Sequence, residues 1–174
     1  AFEHLNGREK MITKMPIRLL SLSMLDLRNR ERFWDIGFCT ASVSIEAKLL
    51  FPHLHITSFE IREEGRKLMT ENCRRFGTPG IEAIIGDFLS VDLSALEAPD
   101  AIFIGGHGGK LVEILMVVSK KMKENGVIVF NSVSDESKAL LEEAVRQTGL
   151  RISAQTRITI DDFNTITVNV IYKL

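Results

Sequence analysis

The sequence predicts a doubly wound α/β fold, with a mostly parallel seven-stranded sheet, helices on both faces and an antiparallel strand at the C-terminal end. Short apolar runs alternate five times with segments of helical periodicity, which is typical of the strand and helix units that build a parallel sheet. The segment 151–174 departs from this pattern, because two strand patterns follow each other there without a helix between them. Such strands pair as an antiparallel hairpin or lie apart in the sheet.

Local signals place each element in order. Pro16 opens an apolar helical pattern, and Pro52, Gly77 and Gly149 end the second, third and fifth helices. The first strand is the apolar run that leads to Asp35. The predicted helices are 16–25, 42–50, 63–76, 110–123 and 135–148. The other predicted strands are 55–60, 81–85, 101–104, 126–131, 151–160 and 165–172.

The composition fits one globular domain, made of an N-terminal helical segment (1–30), a βα core (31–150) and a terminal pair of strands (151–174). Basic and acidic residues number 22 and 23, so a broad electrostatic surface for nucleic acid is not indicated. No apolar run reaches the roughly 18 residues of a membrane span. Cys39 and Cys73 share no metal-ligand spacing, and we expect reduced thiols in a cytoplasmic protein without a bound metal.

The loop after the first strand is the main candidate site. It reads Gly37-Phe38-Cys39-Thr40-Ala41 and follows Asp35. N–H groups at the start of the next helix lack intrahelical partners and Gly37 has no Cβ, so a ligand can approach the main chain. Glu60 ends the second strand near the roughly 20-residue offset at which an acidic side chain accepts hydrogen bonds from ribose hydroxyls. A charged strand end in solvent is the competing interpretation of Glu60.

Three further strand ends carry polar or glycine-rich signals. Asp87 follows the third strand and could accept a hydrogen bond from an adenine amino group, with Phe88 as an apolar wall, although a simple turn is the alternative. His107 lies among four glycines after the fourth strand, where the backbone is shaped to approach a ligand. A solitary histidine is more often a surface residue. Asn131 ends the fifth strand.

The loop argues against one cofactor and favours another. A dinucleotide enzyme would carry Gly-x-Gly-x-x-Gly after the first strand to hold a pyrophosphate, and this loop lacks that motif. An acidic residue before the glycine, and a terminal strand pair in place of further βα units, favour S-adenosylmethionine. Its sulfonium carries a positive charge and no phosphate.

The most discriminating string is 99–109, which reads Pro-Asp-Ala-Ile-Phe-Ile-Gly-Gly-His-Gly-Gly. It is accompanied by shorter motifs: Thr13-Lys14, Ile17-Arg18, Trp34-Asp35-Ile36-Gly37, Ser44-Ile45-Glu46-Ala47, Phe59-Glu60, Asn72 through Phe76-Gly77, and Gly86-Asp87. With these motifs the chain resembles, from Thr13 to about Tyr172, the decarboxylating precorrin-6Y or cobalt-precorrin C15-methyltransferases of the corrin pathway.

The resemblance implies a class I, Rossmann-like methyltransferase that uses S-adenosylmethionine. The implied reaction is methyl transfer to C15 of a precorrin or cobalt-precorrin tetrapyrrole with decarboxylation of the C12 acetate, in cobalamin biosynthesis. The conjugated ring is its own electron sink, so the protein mainly aligns the reactants. The family also implies a homo-oligomer, a tetramer, and occurs as the C-terminal domain of a fusion with a second methyltransferase.

Roles follow for individual residues. We expect cofactor contacts from Thr13, Asp35, Gly37, Phe38, Cys39, Thr40, Ala41, Glu60, Asp87, Phe88 and Gly105. We expect substrate contacts from Lys14, Arg18, Gly106, His107, Lys110 and Asn131. The three basic residues are candidate partners for substrate carboxylates, and the glycines line a floor. His107 is the single candidate for proton transfer, although a neutral wall or a substrate hydrogen bond would explain it equally well.

The loop departs from the Gly-x-Gly-x-Gly pattern of the family, because Cys39 and Ala41 replace two glycines. Ala41 adds only a methyl group, but a positive φ at Cys39 would place about 1–3 kcal/mol of strain on the loop. Phe88 is larger than the small residue expected there. The altered loop leaves open a binding module without turnover. A second alternative is a methyltransferase of the same fold that acts on nucleic acid or protein, which predicts a basic face.

Overall fold

The computed structural model describes residues 1–4, 12–162 and 164–173. Its strands are β1 (Arg32–Ile36), β2 (His55–Glu60), β3 (Ile81–Ile85), β4 (Ala101–Ile104), β5 (Val127–Ser132), β6 (Arg151–Ile158) and β7 (Ile166–Tyr172). Its helices are α1 (Met15–Met24), α2 (Ser42–Leu50), α3 (Glu64–Phe76), α4 (Leu111–Lys121) and α5 (Asp135–Thr148). Every predicted element is confirmed, with ends that differ from the prediction by at most two residues.

The seven strands form one sheet in the order β3-β2-β1-β4-β5-β7-β6. Neighbouring pairs among β1 to β5 are parallel, whereas β7 pairs antiparallel with both β5 and β6. The terminal strands thus form the hairpin, one of the two arrangements that the sequence allowed. Because the strand order reverses between β1 and β4, their carboxyl ends border the crevice in which such sheets bind ligands.

Helices cover both faces of the sheet, so alternate residues of one strand belong to opposite cores. Phe33 on β1 packs with Phe103 and Val129 on one face, and the next residue, Trp34, packs with Phe59 on the other. All five side chains are almost fully buried. Burial of one such side chain contributes roughly 2–3 kcal/mol, which makes the sheet a firm support for the loops at its edge. Within the described ranges, no helix is long and apolar enough to cross a bilayer.

Asp100 joins the starts of β1 and β4. Its buried carboxylate accepts a hydrogen bond from the N–H of Arg32 at 2.9 Å and two from the N–H of Glu31 at 3.1 and 3.2 Å. These N–H groups precede the first ladder bond of β1, so a carboxylate satisfies donors that the sheet leaves unpaired.

We predict that Asp100→Ala lowers the free energy of unfolding by about 2–3 kcal/mol, because two backbone N–H groups lose a charged acceptor. Asp100→Asn keeps one acceptor oxygen and should lose about half as much. Urea denaturation measures both values. Asp92→Ala is the control, since Asp92 binds a backbone N–H in an exposed loop, at Ser94. A loss for Asp92→Ala as large as that for Asp100→Ala would contradict the assignment.

Candidate active site

A cavity of about 490 Å³ opens at the carboxyl ends of the parallel strands. This volume lies within the roughly 300–1,000 Å³ of typical small-molecule sites. The loops after β1, β2 and β3 line one half of it, and the loops after β4 and β5 line the other half together with residues of the β6–β7 hairpin. The cavity therefore spans the crevice between β1 and β4 that the sheet order defines.

The loop after β1 has positive φ at alternate residues. Gly37 has φ 75°, Cys39 has φ 50° and Ala41 has φ 62°. These are the three positions at which the family pattern has glycine, the residue that adopts this conformation without a steric cost. Cys39 thus has the positive φ that the sequence analysis considered as a source of strain, and Ala41 shares it. Each non-glycine residue in this region costs about 1–2 kcal/mol.

Gly37 also needs its missing side chain for packing. A Cβ at this position would lie only 2.4–2.7 Å from backbone atoms of Gly106. The N–H of Gly105 donates to the carbonyl of Ile36 at 2.9 Å, so the loops after β1 and β4 run in direct backbone contact. This contact forms the floor of the cavity.

Glu60 holds the strained loop in place. Its side chain is 3% exposed, and Oε2 accepts from the N–H of Cys39 at 2.9 Å. Oε1 accepts from the N–H and the guanidinium of Arg62, at 3.1 and 3.0 Å. A carboxylate has about four acceptor sites, so one site remains for a ligand donor. Arg62 was not identified from the sequence. A charged residue after a strand is usually solvent-exposed, and nothing in the neighbouring sequence indicates that it contacts Glu60.

Asp35 lies at the base of the cavity and is fully buried. Oδ2 accepts from the hydroxyl of Ser44 at 2.5 Å, and this hydroxyl contacts that of Ser58 at 2.8 Å. Oδ1 has no hydrogen-bond partner among the residues that the structure describes. Burial raises the pKa of Asp35 to about 7, the hydrogen bond from Ser44 opposes this rise, and the charge of Glu60 adds to it. An unpartnered carboxylate oxygen at this depth fits a cationic ligand group.

Asp87 and Lys110 contact each other. Lys110 Nζ lies 2.9 Å from Asp87 Oδ2, and Asp87 Oδ1 accepts from the N–H of Leu89. The hydrogen bond from Lys110 lowers the pKa of Asp87, and the same bond raises the pKa of Lys110. The two residues were expected to bind the adenine and a substrate carboxylate separately. In the structure they form an exposed ion pair that bridges the two halves of the cavity rim.

Phe88 lines the cavity as part of the core beneath it. Its ring meets those of Phe59 and Trp34 edge to face, with centroids 5.0 and 6.2 Å apart, and it is 6% exposed. Such pairs favour this orientation because the ring edge is positive and the face negative. The larger side chain therefore forms a wall and leaves the cavity open.

Two expected contact residues do not line the cavity. Arg18 is 5% exposed and donates to Glu46 Oε2 at 2.8 and 3.0 Å and to the carbonyl of Thr13 at 2.7 Å. Each of its three nitrogen atoms donates inside the protein, so the predicted contact with a substrate carboxylate is not supported. Arg18 instead holds Thr13, which does line the cavity. Ala41 is fully buried under the start of α2 and is likewise absent from the lining.

The remaining expected residues all line the cavity. Asn131 exchanges hydrogen bonds with Ser21 on α1, and His107 packs its ring against Phe130 with centroids 5.6 Å apart. An apolar wall of the cavity could not be predicted from the sequence, because its residues come from distant parts of the chain. These are Ile12, Val133, Ile158, Ile160 and Ile166.

The reversed strand order, with a glycine-floored crevice and buried acidic residues at the ends of β1 and β2, is the fold of class I methyltransferases, for which the sequence predicts the cofactor S-adenosylmethionine. The cavity fits that cofactor: it has a volume typical of small-molecule sites, a backbone floor that a Cβ would fill and a carboxylate oxygen without a partner among the described residues, suited to a cation. Within this class, the family described as "precorrin methyltransferase domain" matches residues 2–171, and the chain belongs to it.

The names of similar proteins and of a similar solved structure are consistent with this family assignment. The chain is 35% identical over 140 residues to the "Precorrin-6Y C(5,15)-methyltransferase [decarboxylating]" of Sinorhizobium sp, a match that covers 80% of this chain and 32% of that protein. It is 32% identical to the "Cobalt-precorrin-6B C(15)-methyltransferase (decarboxylating)" of Salmonella typhimurium, over 76% of this chain and 68% of that protein. The solved "Precorrin-6y C5,15-methyltransferase" of Geobacter metallireducens has a TM-score of 0.86 at 30% identity, over 99% of this chain and 94% of that one. The chain thus spans about a third of the first relative and about two thirds of the second.

We predict that Gly37→Ala is more harmful than Gly80→Ala, a matched control. Both glycines have a similar positive φ, 75° and 79°, but a Cβ at Gly80 would meet nothing within 4 Å among the described residues. Gly80→Ala should lower the free energy of unfolding by about 1–2 kcal/mol. Gly37→Ala should lose more and should weaken binding of S-adenosylhomocysteine by more than about tenfold. Denaturation and calorimetry measure these effects, and equal losses for the two variants would contradict the role of the Gly106 contact.

We predict that Asp35 makes the protein less stable as the pH rises. The folded-state pKa of about 7 exceeds the ordinary 3.8, so the folded state holds a proton that the unfolded state releases between these values. The stabilisation from this proton is complete below about pH 4 and is lost as the pH passes about 7, a change of roughly 4 kcal/mol. Asp35→Asn should lack this component. Urea denaturation of both proteins from pH 4 to pH 8 is the test, and parallel profiles would contradict the raised pKa.

Proposed function

We propose that this domain methylates C15 of a precorrin or cobalt-precorrin tetrapyrrole with S-adenosylmethionine and removes the C12 acetate carboxyl as carbon dioxide. The supporting observation is one continuous cavity with two chemically different halves. The half at β1 to β3 carries the carboxylates Asp35, Glu60 and Asp87, and the half at β4 to β7 carries the glycine floor and an apolar wall, with no carboxylate among its described lining residues. The names of the similar proteins specify the same reaction class.

The first half suits the cofactor. Asp35 would face its cationic end, Glu60 would accept from its ribose, and Asp87 with Phe88 would border its adenine. Thr13 lies at the same cavity, in the position that Arg18 maintains. When bound, the cofactor supplies an electrophilic methyl group. The residues of this chain orient that group toward the second half and exclude water from it.

The second half suits a flat, apolar ring with polar substituents. Gly105 and Gly106 expose backbone rather than side chains, and Val133, Ile158 and Ile166 provide apolar surface. A conjugated macrocycle accepts the electron pair released when the acetate loses carbon dioxide, so the reaction requires no nucleophile from the protein. Placing the reacting carbon in line with the methyl group is the main task, and such orientation can be worth roughly 7–11 kcal/mol.

Lys14 and Lys110 are the proposed partners of substrate carboxylates. Lys110 is already paired with Asp87, but the pair is exposed. Exposed ion pairs contribute little to stability, so a substrate carboxylate can replace Asp87 at little cost. We also propose a cytoplasmic location and a homo-oligomer, a tetramer, as the family resemblance implies; size-exclusion chromatography with light scattering tests the oligomer.

The decisive experiment supplies the protein with S-adenosylmethionine and a precorrin-6-type substrate. We expect equal amounts of S-adenosylhomocysteine and carbon dioxide, measured by chromatography and by trapping of the labelled acetate carboxyl. Methylation without carbon dioxide, or no product from a protein that binds the cofactor, would contradict the proposal.

Glu60→Ala tests the cofactor half separately. The variant loses a proposed ribose acceptor and the acceptor of the Cys39 N–H, so we expect the dissociation constant for S-adenosylhomocysteine to rise about tenfold to a hundredfold. Glu82→Ala is the matched control, because Glu82 is an exposed residue of the neighbouring strand β3 that contacts Thr57. Unchanged affinity in Glu60→Ala by calorimetry would refute the assignment of Glu60.

A further inference from the structure

We propose that His107 is a neutral hydrogen-bond donor that contacts an oxygen atom of the bound substrate through Nε2, and that it is not a proton acceptor. The inference rests on the proposed function, since the substrate is the tetrapyrrole assumed there. The sequence left three roles open for His107: a neutral wall, a substrate hydrogen bond and proton transfer. The proposal selects the hydrogen bond and specifies the tautomer.

The backbone of the loop selects the tautomer. The N–H of Gly109 donates to His107 Nδ1 at 3.1 Å. A ring nitrogen that accepts a hydrogen bond carries a lone pair, so the proton of the neutral ring is on Nε2. Gly108 and Gly109 both have positive φ, 55° and 81°, which turns the N–H of Gly109 back toward the ring. The carbonyl of His107 also accepts from the N–H of Lys110 at 2.8 Å, so the turn is closed at both ends.

The surroundings of the ring keep it neutral and leave Nε2 available. His107 lines the cavity, is half-buried, and packs edge to face against Phe130. Burial lowers its pKa, and the only opposing charge that acts on it within the described chain is that of Glu136 at the start of α5. Nε2 has no hydrogen bond to any described residue. A half-buried donor without an internal partner on a cavity wall is suited to a ligand acceptor.

The position of His107 assigns this donor to the substrate. Phe130 lies on β5 beside Ile104, the last residue of β4, so the ring sits on the β5 side of the crevice. The acidic residues of the cofactor half lie at the carboxyl ends of β1 and β2 and just after β3, on the other side. Nε2 already carries its proton and Nδ1 is turned to Gly109, so neither nitrogen is placed to remove a proton from a ligand. A donor beside the glycine floor can instead fix a carboxylate or carbonyl oxygen at the edge of the ring.

Three substitutions separate donation from proton transfer. His107→Gln keeps an amide N–H near the position of Nε2, His107→Asn places it near Nδ1, and His107→Phe removes it. We expect His107→Phe and His107→Asn to lower kcat/KM for the tetrapyrrole by about tenfold to a hundredfold, mainly through KM, and His107→Gln to recover most of this loss. All three should bind S-adenosylhomocysteine like the wild type, which shows that they are folded. Similar loss of kcat in all three variants, with KM unchanged, would overturn the proposal.

Nitrogen NMR of the wild-type protein without substrate tests the tautomer directly. The ring signals of His107 are those missing from His107→Gln, and we expect the proton on Nε2 alone at neutral pH. A proton on Nδ1, or on both nitrogens, would overturn the inference even if the enzyme is active. Absence of methylation by the wild-type protein would instead overturn the proposed function, and the substrate contact with it, whatever the NMR result.

Discussion

The backbone contact between Gly37 and Gly106 is the constraint on which the site depends. It brings the loops after β1 and β4 together at the point where the strand order reverses, and it leaves no space for a side chain between them. To make this contact and then enter α2, the first loop adopts positive φ at alternate residues. Since Cys39 and Ala41 do so without being glycine, the strain of about 1–2 kcal/mol at each is balanced by the surrounding structure. The hydrogen bond from the Cys39 N–H to Glu60 is one interaction that offsets this strain.

Glu60 therefore has two roles that are physically coupled. The carboxylate that holds the strained loop also faces the cavity, and Asp35 lies buried beside the same loop. The charge of Glu60 contributes to the raised pKa of Asp35. Arg62 compensates the charge of Glu60 from one side. A ligand cation near Asp35 would compensate the other carboxylate, which explains why a cavity of this kind suits a sulfonium and an ammonium better than a pyrophosphate.

Periodicity and turn residues were sufficient to predict the sheet and the loop that floors the cavity, because both depend on local signals. Phe33 and Trp34, for example, are apolar neighbours, as expected for a strand buried on both faces. Partners distant in sequence could not be predicted. Arg18 was assigned to the substrate because the sequence shows its charge but not its burial. In the structure it pairs with Glu46, 28 positions away. Likewise, the pairing of Lys110 with Asp87 depends on two loops that only the folded sheet brings together.

The charges of the cavity bear on how an anionic substrate can react there. Among the described lining residues, three cations (Lys14, Arg62 and Lys110) accompany three carboxylates (Asp35, Glu60 and Asp87). Arg62 pairs with Glu60, and Lys110 pairs with Asp87. This balance suits the proposed decarboxylation, because the departing carboxylate would disperse its charge into the ring in the transition state. A cation bound to the departing carboxylate itself would stabilise the reactant more than the transition state and slow the reaction, so the proposed partners Lys14 and Lys110 suit carboxylates that stay on the ring. Binding through an apolar wall, a glycine floor and a neutral donor avoids that penalty.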